Sequence, residues 1–249
     1  MSLLSFGSVR FSADMVIFDK DGTLTDFEFM WGRQTAVWLS LLAQEVGEPG
    51  LEDDLGRWLG YDMARGHTLR NSPLVGATEE ELEIIVAAVL YRRGISWPEA
   101  QSMARRTFQR SVVELPTSQR VRATGDVAGL MARLRAAGVR VGVVTIDARD
   151  HTELILQILG IADAVDALVC GDEGLSWKPS PGMFLRACVR AGVEPRRVAV
   201  VGDTVADMEM AAAGGAGLRV AVLSGVGDPE QLRLHSDAVL HSIDEIGVA

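Results

Sequence analysis

Two carboxylates one residue apart, Asp19 and Asp21, close the apolar run Val16-Ile17-Phe18-Asp19-Lys20-Asp21-Gly22-Thr23. A strand that ends this way throws both acids into one crevice, beside backbone N–H groups able to face an anion. Two acids alone repel phosphate. Joined by a divalent cation, one of them can attack phosphorus while the other handles the proton. Asp19 is therefore the candidate nucleophile and Asp21 the candidate general acid and base. The plainer alternative is a strand end followed by an Asp-Gly turn.

Three further segments could serve the same chemistry. In Val143-Val144-Thr145-Ile146-Asp147, the Thr145 hydroxyl tips an apolar run and could donate to a phosphoryl oxygen, helped by the N–H of Ile146. In Ser176-Trp177-Lys178-Pro179, a lysine stands before a proline turn that opens a helix. Its ammonium could neutralise phosphate or hold the nucleophile's charge. Lys20 and Lys178 are the only lysines in the chain; all other fixed positive charge is arginine. In Val198–Asp207 a very apolar run ends in Gly202-Asp203, and Asp207 follows four residues on. Oxygen-only ligands at strand ends suit Mg²⁺. The plainer alternatives are a Thr cap, a solvated lysine, and an Asp203 N-cap with Asp207 favoured by the helix dipole.

Positioning these groups requires a sheet. Apolar, β-branched runs predict buried parallel strands at Met15–Asp19, Val139–Thr145, Ala167–Cys170, Val198–Gly202 and Leu218–Leu223, with a weaker one at Ala238–Leu240. Helical patterns lie between them at Gly125–Ala137, Arg149–Leu159, Pro181–Ala191 and Val205–Ala213. This alternation predicts an α/β fold, a doubly wound Rossmann-like parallel sheet. All four motifs fall at the C-terminal ends of predicted strands or at the start of the next helix, the edge where open α/β sheets bind ligands.

The interval from Phe27 to Arg122 breaks the rhythm. It shows no convincing strand, and helical stretches near Met30–Val46, Leu51–Leu59, Glu79–Arg93 and Pro98–Leu115. Thr78 before three glutamates, and Ser96 before Trp97-Pro98-Glu99, read as capped helix starts. The interval is too long for a loop. The expected organisation is a catalytic core of residues 1–26 and 123–249 with an inserted all-helical cap domain of residues 27–122. Trp38, Trp58 and Trp97 are expected to be packing residues. Trp31 and Arg33 could line a pocket, Arg33 as a partner for a substrate carboxylate or second phosphate; the simpler reading of that stretch is a hinge plus the apolar face of a cap helix. His67 and Arg70 could sit on a cap loop over the site.

Composition excludes several classes of function. A net charge of −10 argues against nucleic acid as a partner. No apolar run is long enough to span a bilayer, and residues 1–14 lack the pattern of a secretory signal. Cys170 and Cys188 read as reduced core thiols rather than a disulfide framework. A cytoplasmic monomer or homodimer, with neither membrane nor nucleic acid as a partner, is expected.

The four motifs, in this order and spacing, resemble those of the haloacid dehalogenase (HAD) superfamily phosphohydrolases with a type 1 helical cap, phosphoglycolate-phosphatase-like members among them. The resemblance covers about residues 14–26 and 123–246; the cap matches in position and helicity only. It implies a phosphatase for a small phosphorylated metabolite that works through an aspartyl-phosphate on Asp19. Asp21 would protonate the leaving oxygen and then activate water. Thr145 and the N–H of Ile146 would hold phosphoryl oxygens, and Lys178 would stabilise Asp19 and the phosphoryl group. Mg²⁺ would be held by Asp19, the carbonyl of Asp21 and Asp203, with Asp207 directly or through water. Asp21 excludes the dehalogenase branch, whose halide leaves without a proton. The phosphonatase branch needs a cap lysine, and residues 27–122 contain none. A phosphomutase of the β-phosphoglucomutase type and a non-catalytic receiver-like module are the alternatives. One departure stands out: many relatives carry an amide side chain after the motif-two hydroxyl, whereas Ile146 and the additional acid Asp147 follow Thr145 here. Asp172 and Glu173 could assist the metal shell, though a solvated loop is the simpler reading.

Overall fold

The computed structural model describes residues 2–248. The chain forms two compact units, Met1–Asp26 with Arg122–Ala249, and Phe27–Val121. Arg122, expected to end the insert, belongs to the first unit. Its carbonyl accepts from the Asp26 N–H at 2.8 Å, and its guanidinium holds the Asp26 carboxylate at 2.5 Å.

The first unit is built on six strands: β1 (Met15–Phe18), β2 (Arg140–Val144), β3 (Ala167–Val169), β4 (Val198–Gly202), β5 (Leu218–Val222) and β6 (Ala238–Leu240). They are all parallel, in the order β6-β5-β4-β1-β2-β3. The chain thus fills one side of β1, returns, and fills the other. The direction reverses between β1 and β4, and such a reversal opens a crevice at the carboxyl ends of the strands.

Residue alternation explains both faces. Val16 and Phe18 pack with Val141, Val143, Ala199 and Val201 beneath the helix Val127–Ala136. Met15 and Ile17 point the other way, toward Met183, Phe184 and Ala187 of the helix Gly182–Ala191 and Met210 of the helix Val205–Gly214. A strand covered on both sides reads as an unbroken apolar run. Register then sets the site. Phe18 lies opposite Val143 on one side and Val201 on the other. Asp19, Thr145 and Asp203 therefore emerge from three adjacent strands at one edge.

Two features of this unit have weak sequence signals. The hairpin Ser2–Phe6/Val9–Ala13 joins the strand Ile246–Val248 in a small antiparallel sheet. Only its inward residues, among them Leu4, Phe6, Ala13 and Ile246, are both apolar and buried. The helix Pro229–His235 is short and starts on Asp228, whose carboxylate accepts from the N–H groups of Glu230 and Gln231.

The second unit contains the helices Arg33–Val46, Leu51–Leu59, Glu79–Arg92 and Trp97–Glu114. Thr78 forms a full capping box with Glu81. Ser96 starts the fourth of these without a side-chain cap bond, Pro98 being already set for the first turn. The all-helical expectation needs correction. Tyr61–Asp62 and His67–Thr68 form a two-stranded hairpin, too short for any periodicity to reveal. Trp38 is buried, its ring edge-on to Phe108 at 5.1 Å and its N–H shared between the Ala104 carbonyl and the Thr107 hydroxyl. Trp58 is half-exposed, at 49%, whereas Trp97, though 39% exposed, packs edge-on against Tyr91 with ring centroids 6.2 Å apart.

Candidate active site

Asp19 follows β1 directly, and its N–H donates to the Val201 carbonyl of β4 at 2.9 Å. The nucleophile candidate is thus fixed by the centre of the sheet. Lys178 reaches it from the loop before the helix Gly182–Ala191, with Nζ 2.5 Å from Asp19 Oδ1 and 2.6 Å from Asp207 Oδ1. Burial alone would push this ammonium down. Asp19 and Asp207 outweigh that effect and hold it far above the ordinary lysine value.

Asp19, Asp203 and Asp207 each offer a carboxylate oxygen within 4.8 Å of the others. Asp203 is fully buried. Its Oδ2 accepts from the Val226 N–H at 3.0 Å and its Oδ1 from the Thr23 hydroxyl at 3.4 Å. Glycines make room for it. A Cβ on Gly22, which has φ +85°, would lie 2.4 Å from Asp203 Oδ2, and one on Gly225 would lie 2.0 Å away. Burial raises the proton affinity of Asp203 well above the carboxylate range, and the neighbouring charges of Asp19 and Asp207 add to it. Asp19 is pushed up to about 7, by burial first, with Lys178 opposing and Asp207 reinforcing. Three crowded carboxylates with a single ammonium are short of positive charge. An all-oxygen donor set in such a cradle fits Mg²⁺. Asp207 has competing duties. Its Oδ2 completes the cap of the helix Val205–Gly214, accepting from the Thr204 hydroxyl at 2.6 Å and from its N–H at 3.1 Å, while its Oδ1 holds Lys178.

Asp21 stands apart from this cluster. Both its oxygens are held by the Lys20 ammonium, at 2.7 and 2.6 Å, and Oδ1 also accepts from the Thr25 hydroxyl at 2.9 Å. Lys20 is fully buried and reaches Asp147 Oδ2 at 3.1 Å. Sequence reasoning marked Lys20 as rare but gave it no task. The signal for one was the unassigned acid at Asp147. Thr145 is buried at the tip of β2, and its hydroxyl accepts from the Asp147 N–H at 3.2 Å. The backbone of Ile146 lies against Gly171, where a Cβ would come within 2.0 Å of the Ile146 carbonyl oxygen.

Other candidates have different surroundings. Arg33 and Trp31 lie in the second unit. The Arg33 guanidinium sits over the Phe29 ring at 4.5 Å and donates to the Gln119 carbonyl, while Trp31 lies under Arg120. His67 pairs with Glu28 at 3.1 Å, and Arg70 is exposed just beyond the second strand of the hairpin. Glu173 is held by Arg190 and Arg149, at 2.7 and 2.5 Å, and accepts from the Cys170 N–H. The Arg190 hydrogen bonds lead in holding its carboxyl down at about 2. A depressed acid adds stability that is present above its ordinary value of 4.5 and lost as pH falls through about 2. Glu173→Gln is therefore expected to cost about 1 kcal/mol at pH 7, after screening by solvent. That deficit should shrink on acidification, as followed by denaturant melts at several pH values.

The chain was compared with known proteins. A family model described as haloacid dehalogenase-like hydrolase matches residues 13–215. A phosphoglycolate phosphatase of Nitrosococcus oceani is 28% identical over 236 residues, 94% of each chain. An N-acetylmuramic acid 6-phosphate phosphatase of Pseudomonas aeruginosa is 40% identical over 80 residues, which is 32% of this chain and 35% of that protein. Among solved structures, "a predicted phosphoglycolate phosphatase" from Haemophilus somnus superposes with a TM-score of 0.68 at 20% identity, over 93% of this chain and 95% of that one.

Proposed function

Because the chain belongs to the haloacid dehalogenase-like hydrolase family, we propose that it is a Mg²⁺-dependent phosphatase which cleaves a small phosphomonoester through an aspartyl-phosphate on Asp19. The observation that carries this reading is the single ammonium of Lys178 shared by Asp19 and Asp207, with Asp203 close by. Asp19, Asp203, the carbonyl of Asp21 and Asp207 would hold the cation. When bound, Mg²⁺ neutralises phosphoryl oxygens so that an anionic nucleophile can approach an anionic substrate.

The residues divide the remaining work. An Asp19 oxygen attacks phosphorus in line as the bond to the leaving oxygen breaks, and Asp21 delivers a proton to that oxygen. Asp21 then takes a proton from water, the water oxygen attacks phosphorus, and Asp19 is regenerated as phosphate departs. Lys178 keeps Asp19 oriented and offsets charge on the phosphoryl group. The Thr145 hydroxyl and the Ile146 N–H are assigned to phosphoryl oxygens. Cys170 and Cys188 are buried and unpaired, and among the described residues no helix is long and apolar enough to cross a membrane.

The test is a screen of phosphorylated metabolites, with phosphoglycolate and N-acetylmuramic acid 6-phosphate first because two relatives bear those names. Phosphate release with Mg²⁺ and none with EDTA is expected. Release that ignores EDTA would remove the cation from the scheme. An isomeric phosphate ester in place of free phosphate would turn the assignment to a phosphomutase.

A further inference from the structure

We infer that Asp147 and Lys20 form a positioning device for the acid–base residue Asp21, an inference that rests on the phosphatase reading above. The Lys20 ammonium contacts both oxygens of Asp21 and one oxygen of Asp147, and it is fully buried. A buried ammonium fixed between two carboxylates cannot swing aside without leaving a charge unpaired.

Asp147 is itself held from several directions. Its Oδ1 accepts from the Ala148 N–H at 2.8 Å, and its Oδ2 meets His151 Nδ1 at 2.7 Å. Its carbonyl accepts from the Gly171 N–H at 2.9 Å, and its own N–H donates to Thr145. The anchor of the relay is thus the loop that also carries the phosphoryl-binding hydroxyl. Charge agrees with this geometry. Burial would push Lys20 down, yet Asp21 and Asp147 hold it above its ordinary value. Burial would push Asp147 up, yet Lys20 and His151 hold it well below the carboxylate range.

The device has a specific purpose. A general acid must meet the leaving oxygen at hydrogen-bond distance, and an error of about 1 Å can cost on the order of 10²-fold in rate. Lys20 grips both Asp21 oxygens and so restricts rotation of the carboxyl. Asp147 restricts Lys20 in turn. This gives Asp147, two residues after Thr145, a positioning task.

Leaving-group dependence provides the test. The quantity kcat/KM extends to the first irreversible step, departure of the leaving oxygen. 4-Nitrophenyl phosphate releases a phenolate that needs little help from a proton, whereas benzyl phosphate releases an alkoxide that needs it. For Asp147→Ala, kcat/KM is expected to fall about 10- to 100-fold further with benzyl phosphate than with 4-nitrophenyl phosphate. Asp147→Asn keeps the shape and one acceptor and should recover part of that difference. If Asp147→Ala does not fold, judged by circular dichroism, the double variant Lys20→Met/Asp147→Asn removes the buried charges together, and the same differential is expected of it. An equal fall on both substrates, or no fall, overturns the inference while wild-type turnover leaves the phosphatase reading intact. A wild-type protein that releases phosphate neither from these esters nor from any metabolite of the screen above overturns both.

Discussion

Asp19→Asn is expected to release no measurable phosphate from any ester the wild-type protein accepts, a loss of about 10⁴-fold or more in kcat. Asparagine fills the same space beside β1 but offers phosphorus no anionic oxygen. The fold should survive. Asp19 is one of three carboxylates crowded within 4.8 Å, and its proton affinity is raised by burial first. A raised acid works against stability as pH climbs above its unfolded value, since the folded state then holds protons that the unfolded state gives up. Removing it relieves that repulsion, while Lys178 keeps Asp207 as a partner. The metal-free variant should therefore melt no lower than wild type at neutral pH. Phosphate assays and thermal melts of one preparation check both halves. Retained turnover would take the nucleophile's role from Asp19.

Lys178→Met should harm activity and stability together. Its side chain is 7% exposed, and its ammonium bonds both Asp19 and Asp207. Methionine fills much of the volume and leaves these acids, with Asp203, without a counter-charge. Breaking a buried ion pair from one side costs about 3–5 kcal/mol, and loss of a fixed positive group near the transferring phosphoryl costs about 10²–10³-fold in kcat. The stability loss should be largest without Mg²⁺ at neutral pH. It should shrink when the acids are protonated on mild acidification, and again when Mg²⁺ is added. Glu173→Gln behaves differently: its deficit persists through mild acidification and disappears only toward about pH 2, because that acid is stabilised in its charged form. Melting both variants across pH separates repulsion relieved from attraction lost.

The sheet and its chemistry were legible for one physical reason. Strands covered on both faces must be apolar at every position, so each run such as Val198–Gly202 stands out, and polar residues at its end stand out equally. Asp19, Asp203 and Asp207 could be placed at one edge from that pattern, and Lys178 from its rarity and its place before a proline turn that opens a helix. The hairpin at Ser2–Ala13 was not legible, since only its alternate residues are buried and the rest resemble loop. The two-residue strands of the second unit are too short to carry a period. Trp58 misled because an aromatic ring can lie half-exposed on a helix surface. The partnership of Lys20 with Asp147 was hidden for another reason. It depends on how a buried side chain turns at the end of β1, and no spacing along the chain encodes that rotation.

The seam at Asp26 and Arg122 has a consequence for how such a chain can change over time. The outgoing and returning backbones are stapled there by a main-chain hydrogen bond and an ion pair, and Thr25 bridges Ala123 beside them. Everything between the staples is a detour whose mouth is already shut. Closing a longer or shorter detour alters the entropy only logarithmically, by about 0.6 kcal/mol for each doubling. Lineages could therefore resize or replace the detour as a cassette without reopening the six-stranded framework.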